Sequence, residues 1–150
     1  MSEAESEQQR HVVTHTFRVR YGETDAMGVA HHSSYVLWFE MGRTEYMRSF
    51  GFTYRQLEQM GVGLPVIELR VRYYRACFYD DELVISTWVE EMSRTRLLLA
   101  YRIDRPADGT LLTEATTLHT YTGKDGRPLR ITHFPEAWAR LRTMYNEPLD

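Results

Sequence analysis

One short stretch, Tyr21-Gly-Glu-Thr-Asp25-Ala-Met-Gly28-Val-Ala-His-His32-Ser-Ser-Tyr35, brings together a carboxylate, two adjacent histidines and a glycine-containing backbone. A positioned aspartate can act as general base or as nucleophile, and a nearby histidine can orient water or donate a hydrogen bond. The stretch joins the end of an alternating segment to the start of a helical one. Backbone N–H groups at a helix start lack intrahelical partners and lie at the positive end of the helix dipole. The donors expected near Gly28 to Ser33 therefore suit a developing oxyanion. An aspartate in such a loop also serves as a turn former or cap, and spacing alone leaves both roles open.

The elements that must hold this stretch follow from hydrophobic periodicity. Val13, His15, Phe17, Val19 and Tyr21 alternate with Thr14, Thr16, Arg18 and Arg20, which predicts a half-buried strand. A long helix is predicted over roughly 33–50, closed by Gly51; its apolar residues occupy more than one stripe, as in a helix buried on most sides. Thr53 and Gln56 are spaced as the capping box of a short second helix that ends at Gly61. Strands follow at 67–73, 83–89, 97–103 and 110–122, with polar or glycine-containing turns between the later ones that make them antiparallel neighbours. Phe134, Ala137, Trp138, Leu141 and Tyr145 trace one face of a C-terminal helix, with Pro135 in its first turn. Five strands around one long apolar helix give an α+β fold in which the sheet curls about that helix. Residues 1–12, acidic and polar, are expected to be a disordered tail. Residues 13–150 are expected to form one domain.

Composition removes several classes. A net charge of −3 offers no general attraction to nucleic acid. The one cysteine, Cys77, cannot form an internal disulfide, no stretch suits a membrane span, and the N-terminus does not read as a signal peptide, so the cytoplasm is the expected compartment. His31 and His32 are adjacent, and adjacent side chains rarely point at one ion. No further histidine or cysteine at metal-ligand spacing accompanies them, so no metal site or other cofactor is expected, and capping or solvation is the expected fate of at least one. Cys77 has no histidine near it in sequence and reads as a packed thiol rather than a nucleophile.

The pattern Tyr21-x-Glu-Thr-Asp25-x-x-Gly28-Val29-x-x-His32-x-Ser34-Tyr35, followed by Phe39-Glu40-x-x-Arg43-Thr44-Glu45, resembles the 4-hydroxybenzoyl-CoA thioesterase family, in particular its YbgC-type acyl-CoA thioesterase branch. Val71-Arg72-Tyr73-Tyr74, Asp80-Asp81-Glu82-Leu83 and Pro128 extend the match, which runs from about Phe17 to about Leu129. The resemblance implies a hotdog fold, with a five-stranded antiparallel sheet wrapped around a long central helix. It also implies a dimer joined sheet edge to sheet edge, often paired again into a homotetramer, with active sites at the dimer interface. The family's catalytic aspartate falls on Asp25, and the accompanying tyrosine and histidine fall on Tyr21 and His32. Gly28, Val29, Ser33 and Tyr35 are then the expected substrate-binding residues.

The reaction so implied is hydrolysis of a small or medium acyl-CoA, aliphatic or aromatic, to free acid and CoA. Asp25 would activate water or attack the carbonyl directly. Hydrolysis of acyl groups from acyl carrier protein, and acyl-CoA binding without turnover, are the competing readings. Glu40 and Arg43 are spaced to pair on the helix surface. Arg94, Arg96, Arg127 and Arg130 lie in or beside loops where they could meet CoA phosphates.

Overall fold

Three long antiparallel strands build the floor of the molecule. In the computed structural model, which describes residues 11–145, these are β3 (Glu82–Met92), β4 (Arg96–Arg105) and β5 (Thr110–Thr120). They follow β1 (Val13–Arg18), α1 (His32–Ser49), α2 (Tyr54–Gln59) and β2 (Val66–Tyr73), and precede α3 (Pro135–Arg142). The tail expected at 1–12 falls almost wholly outside the described residues.

All strand pairs are antiparallel, in the order β1-β3-β4-β5-β2. Consecutive hairpins join β3, β4 and β5, as their short turns require. β2 instead crosses over to pair with β5 and forms an outer edge, with Leu69 opposite Thr117 and Tyr73 opposite Thr113. On β3 and β4 the inward set is Leu83, Ile85, Thr87 and Val89 with Leu97, Leu99, Tyr101 and Ile103, all buried. Helix α1 lies on this face, its Phe39 ring 5.1 Å from that of Tyr101. The arrangement is the hotdog fold that the resemblance implies.

Gly42 marks the closest approach of helix to sheet. A Cβ added there would come within 2.8 Å of both Ile85 Cδ1 and Thr87 Oγ1. Only a residue without a side chain lets the helix settle this low over β3, and that descent brings Tyr35, Trp38, Phe39, Tyr46 and Met47 into the core.

Under α1 a polar chain crosses the core with one allowed direction. The Leu64 carbonyl can only accept, so His119 Nδ1–H donates to it at 3.0 Å. Neutral His119 Nε2 then accepts from Thr117 Oγ1 at 2.7 Å, which leaves the Tyr101 hydroxyl to donate to Thr117 Oγ1, also at 2.7 Å. Burial lowers the His119 pKa to about 4.

Four expectations need correction. Helix α1 is buried along one stripe and not on most sides: Val36 and Leu37 are exposed, because the chain's own sheet covers a single flank. The alternation of β1 stops short of Tyr21. A 3-10 turn at Tyr21–Glu23 breaks the two-residue period, turns Tyr21 outward at 79% exposure and places Glu23 inside. Glu40 and Arg43 do not pair; the ion pair on that helix is Glu45 with Arg48, while Arg43 lies beside the buried Tyr101 hydroxyl. Finally, β5 ends at Thr120 and α3 at Arg142, where isolated bridges of Thr122 and the turn at Thr143 take over. The α2 capping box is as expected: Thr53 Oγ1 accepts from Gln56 N–H at 3.2 Å, and Gln56 Oε1 accepts from Thr53 N–H at 2.9 Å.

Candidate active site

The loop between β1 and α1 is closed at its base and open at its tip. At the base, Thr24 pairs with Ala30 as an antiparallel bridge, and the Ala30 N–H donates to the Cys77 carbonyl at 2.9 Å. At the tip, Asp25 folds back on its own loop. Its Oδ1 accepts from Met27 N–H at 2.8 Å and from Val29 N–H at 3.3 Å. An aspartate held by two loop amides is an Asx-type turn, so Asp25 has the structural role that spacing left open. The second carboxylate oxygen has no partner among the described residues, and the side chain is exposed. One oxygen fixes the group and the other is available for chemistry.

His31 provides the helix cap. Its Nδ1 accepts from the Ser33 N–H at 3.1 Å, as a side-chain N-cap does. The His32 ring stacks on it with centroids 4.1 Å apart. Of the amides from Gly28 to Ser33 expected to serve as oxyanion donors, most are already engaged. Gly28 donates to the Asp25 carbonyl, Val29 to Asp25 Oδ1, Ala30 to Cys77, His31 to the Glu23 carbonyl and Ser33 to the His31 ring. Among the described residues the His32 N–H alone of this set has no acceptor, and it belongs to the first residue of α1, where the dipole is positive.

Beside this helix start lies a cavity of about 280 Å³ lined by Val29, Ala30, His32, Tyr35, Tyr73, Tyr74, Arg75 and Ala76. Val29 links it to the Asp25 turn. Tyr73, the last residue of β2, donates from its hydroxyl to the His32 carbonyl at 3.0 Å and meets the Tyr35 ring edge-to-face at 5.0 Å. The Tyr35 hydroxyl lies 3.3 Å from Cys77 Sγ, both groups buried. Burial raises the thiol's pKa and also that of the Tyr35 hydroxyl, so neither is a ready nucleophile.

The structure therefore brings Val29, His32 and Tyr35 together at one cleft, with Asp25 and Gly28 in the adjoining turn and Ser33 committed to the cap. It does not bring Tyr21 to Asp25. Tyr21 stacks edge-to-face on Tyr79 at 5.7 Å, and only its backbone carbonyl, accepting from Thr24 Oγ1 at 2.7 Å, touches the loop. Arg94, Arg96, Arg127 and Arg130 do not line the cleft, whereas Arg75 does. Sequence reasoning missed Tyr73 and Arg75 as cleft residues, because only the crossover of β2 to the far edge brings its end over the start of α1.

Glu23 is the buried carboxylate of this region. Burial pushes its pKa up, but the backbone N–H and guanidinium of Arg20 and the Trp38 indole N–H outweigh that and hold it below the usual carboxylate value.

Comparison with known proteins settles the family. The model of the Thioesterase-like superfamily matches residues 19–141, most of the chain. This chain belongs to that superfamily. Among its curated relatives, the putative acyl-CoA thioesterase YneP of Bacillus subtilis is 33% identical over 138 residues, 91% of this chain and 97% of that protein. The acyl-CoA thioester hydrolase YbgC of Escherichia coli is 41% identical over 101 residues, 67% of this chain and 75% of that one. Among solved structures, a DHNA-CoA thioesterase from Staphylococcus aureus superposes with a TM-score of 0.80 at 34% identity, covering 90% of this chain and 93% of that one.

Proposed function

We propose that the protein is an acyl-CoA thioesterase, hydrolysing a small or medium acyl-CoA to the free acid and CoA, with Asp25 as the acting carboxylate. Its sequence likeness to YneP, YbgC and the Staphylococcus aureus enzyme, each named for thioester substrates, supports the reaction class. The observation that carries the role of Asp25 is its half-held carboxylate: Oδ1 is fixed on the Met27 and Val29 amides, and the other oxygen has no partner among the described residues.

A thioester carbonyl is electrophilic because sulfur lends it little resonance. The free oxygen of Asp25 takes a proton from water as that water attacks, or attacks the carbonyl itself to form a mixed anhydride that water then opens. Charge developing on the carbonyl oxygen is received by the unpartnered His32 N–H at the start of α1. Collapse of the tetrahedral species expels CoA as thiolate. His32 orients the water or the carbonyl, Tyr35 and Val29 bound the acyl group, and Gly28 keeps the turn open with φ +80°. Tyr21, turned to solvent in the single chain, meets substrate only if a second copy covers it.

A second copy also accounts for the uncovered apolar groups. Val36 and Leu37 on α1, with Val66, Ile67 and Leu69 on edge strand β2, are exposed in the single chain. An unpaired, apolar edge strand is a template for further pairing. We therefore infer an edge-to-edge homodimer, a homotetramer as a dimer of dimers, and a cleft completed by the partner protomer. Residues 13–150 are read as one domain, of which 146–150 lie outside the described residues. The chain works in the cytoplasm, where acyl-CoA is supplied and Cys77 stays reduced; among the described residues no helix is long and apolar enough to cross a membrane.

Thiol release measured across acetyl, medium-chain, long-chain and aromatic acyl-CoA tests the reading, with the best acyl group then presented on acyl carrier protein. Release from CoA with at least one acyl group is expected. Tight acyl-CoA binding without release would overturn the enzymatic reading, and release from the carrier protein alone would overturn the choice of CoA.

A further inference from the structure

Two residues before Asp25 stands a carboxylate that the mechanism above does not use. Glu23 is enclosed, at 7% exposure, and each of its oxygens accepts hydrogen bonds. Its Oε1 accepts from the Arg20 backbone N–H at 2.7 Å. Its Oε2 accepts from the Trp38 indole Nε1–H at 2.7 Å and from Arg20 Nη2 at 3.3 Å. Its backbone carbonyl accepts from the His31 N–H at 2.8 Å and from Ser34 Oγ–H at 2.8 Å. A single residue thus grips the strand end that enters the loop, the cap of α1 and the second turn of that helix.

We propose that Glu23 is a positioning residue for the reaction, its carboxylate clamped between Trp38 and Arg20 so that the loop presents Asp25 in one fixed pose against the start of α1. The inference rests on the reading of Asp25 as the acting carboxylate. The loop has few other anchors. Beyond the Thr24–Ala30 bridge and the pairing of Val29 and Ala30 with the Cys77–Phe78 segment, the Asp25 turn is held by its own amides, and neither of these contacts ties the turn to the helix.

The partners of the Glu23 carboxylate are all N–H donors, so the position requires two acceptor oxygens. A glutamine of the same size must turn its NH₂ toward a donor in either orientation: toward Trp38 in one, toward the Arg20 backbone in the other. Trp38→Phe removes the indole donor. The Arg20 side chain is itself largely exposed and free to swing aside. In that background a glutamine can place its NH₂ at the vacated corner without conflict. The clamp therefore predicts coupling between positions 23 and 38, read through the loop.

The test uses the full-length protein with Glu23→Gln, Trp38→Phe and the double variant. For each, kcat and KM are measured on the preferred acyl-CoA, and amide hydrogen exchange is followed by NMR at Val29, His31 and, as a remote control, Leu99. Glu23→Gln is expected to lower kcat about tenfold with KM within about twofold, and to speed exchange at Val29 and His31 at least about fivefold with Leu99 unchanged. Added to Trp38→Phe, it is expected to cost no more than about threefold in kcat. An equal kcat loss in both backgrounds overturns the clamp, as does faster exchange at Leu99 together with the loop, which would make Glu23 a support of the whole fold. Should Glu23→Gln fail to fold, Trp38→Phe alone decides: faster exchange at Val29 and His31 with a kcat loss of about threefold supports the proposal, and unchanged values overturn it. If Asp25→Asn keeps full activity, the role of Asp25 falls by itself, and the exchange rates still report whether Glu23 fixes the loop.

Discussion

The hydroxyl of Tyr73 donates to the carbonyl of His32 at 3.0 Å, tying the last residue of the edge strand to the first residue of the central helix. That bond holds one wall of the cleft against the other, and it exists because β2 crosses the sheet to pair with β5. Tyr73→Phe should lower stability by about 0.5–1.5 kcal/mol, the ordinary net value of one such bond, and raise KM more than it lowers kcat. Urea midpoints and initial rates check this; an unchanged midpoint and KM would mean that the bond does not shape the cleft.

Arg75 is the arginine of the cleft wall. If CoA phosphate meets it, Arg75→Ala removes a charge-assisted bond of about 1.5–3 kcal/mol, which is roughly a ten- to hundredfold rise in KM with kcat little changed. The rise should shrink as salt is added. Arg130 does not line that cavity, so Arg130→Ala serves as the control and should leave KM within about twofold.

Helix α1 seats on β3 through Gly42. Gly42→Val drives a side chain into Ile85 and Thr87, which have no room to retreat, and overpacking of this kind costs about 1–3 kcal/mol. Chemical denaturation should show that loss. A variant as stable as the parent would mean that the helix can ride higher without penalty.

His119 gives the fold an acid limit. Its pKa in the folded protein is lowered by burial to about 4, against an ordinary value of 6.5, so the unfolded chain binds the extra proton first. Stability from this group is present above pH 6.5, falls as pH drops from 6.5 toward 4, and levels off below, a total of at most about 3 kcal/mol. Denaturation midpoints between pH 7 and 4 should follow that slope, and His119→Gln should flatten it. An unchanged slope would locate the acid sensitivity elsewhere.

Most of the architecture was legible in the sequence as β-rich runs between turns and as local capping chemistry. The runs expected at 83–89 and 97–103 fall within β3 and β4, and the capping box of α2 forms as its spacing predicts. Three features were not legible. The position of β2 at the sheet edge depends on pairing with a strand some forty residues on, which no local pattern encodes. Tyr21 was placed inward by extending an alternation that a single 3-10 turn cancels. The exposed flank of α1 carries the composition of a buried helix, so its exposure in the single chain could not be read from residue types. At the site, the motif marked the loop and Asp25 as candidates, but not the engagement of most of the loop's amides. Tyr73 stood in the quoted strand motif and Arg75 just after it, but neither carried a local signal for the cleft, since both reach it through tertiary crossover. Glu23 stood inside the quoted motif, and its burial with Trp38 emerged only from the turn that replaces the strand.

In the proposed reaction, turnover depends on the Asp25 oxygen that has no partner among the described residues. Asp25→Asn keeps the shape of the side chain and the amide bonds to Oδ1 while removing the base. Steady-state turnover of the preferred acyl-CoA by this variant is the most direct test. We predict a kcat lower by about 10²–10⁴-fold, roughly 3–5 kcal/mol of barrier, with the fold intact by circular dichroism. A folded variant that retains more than half of the parent kcat would contradict the assignment.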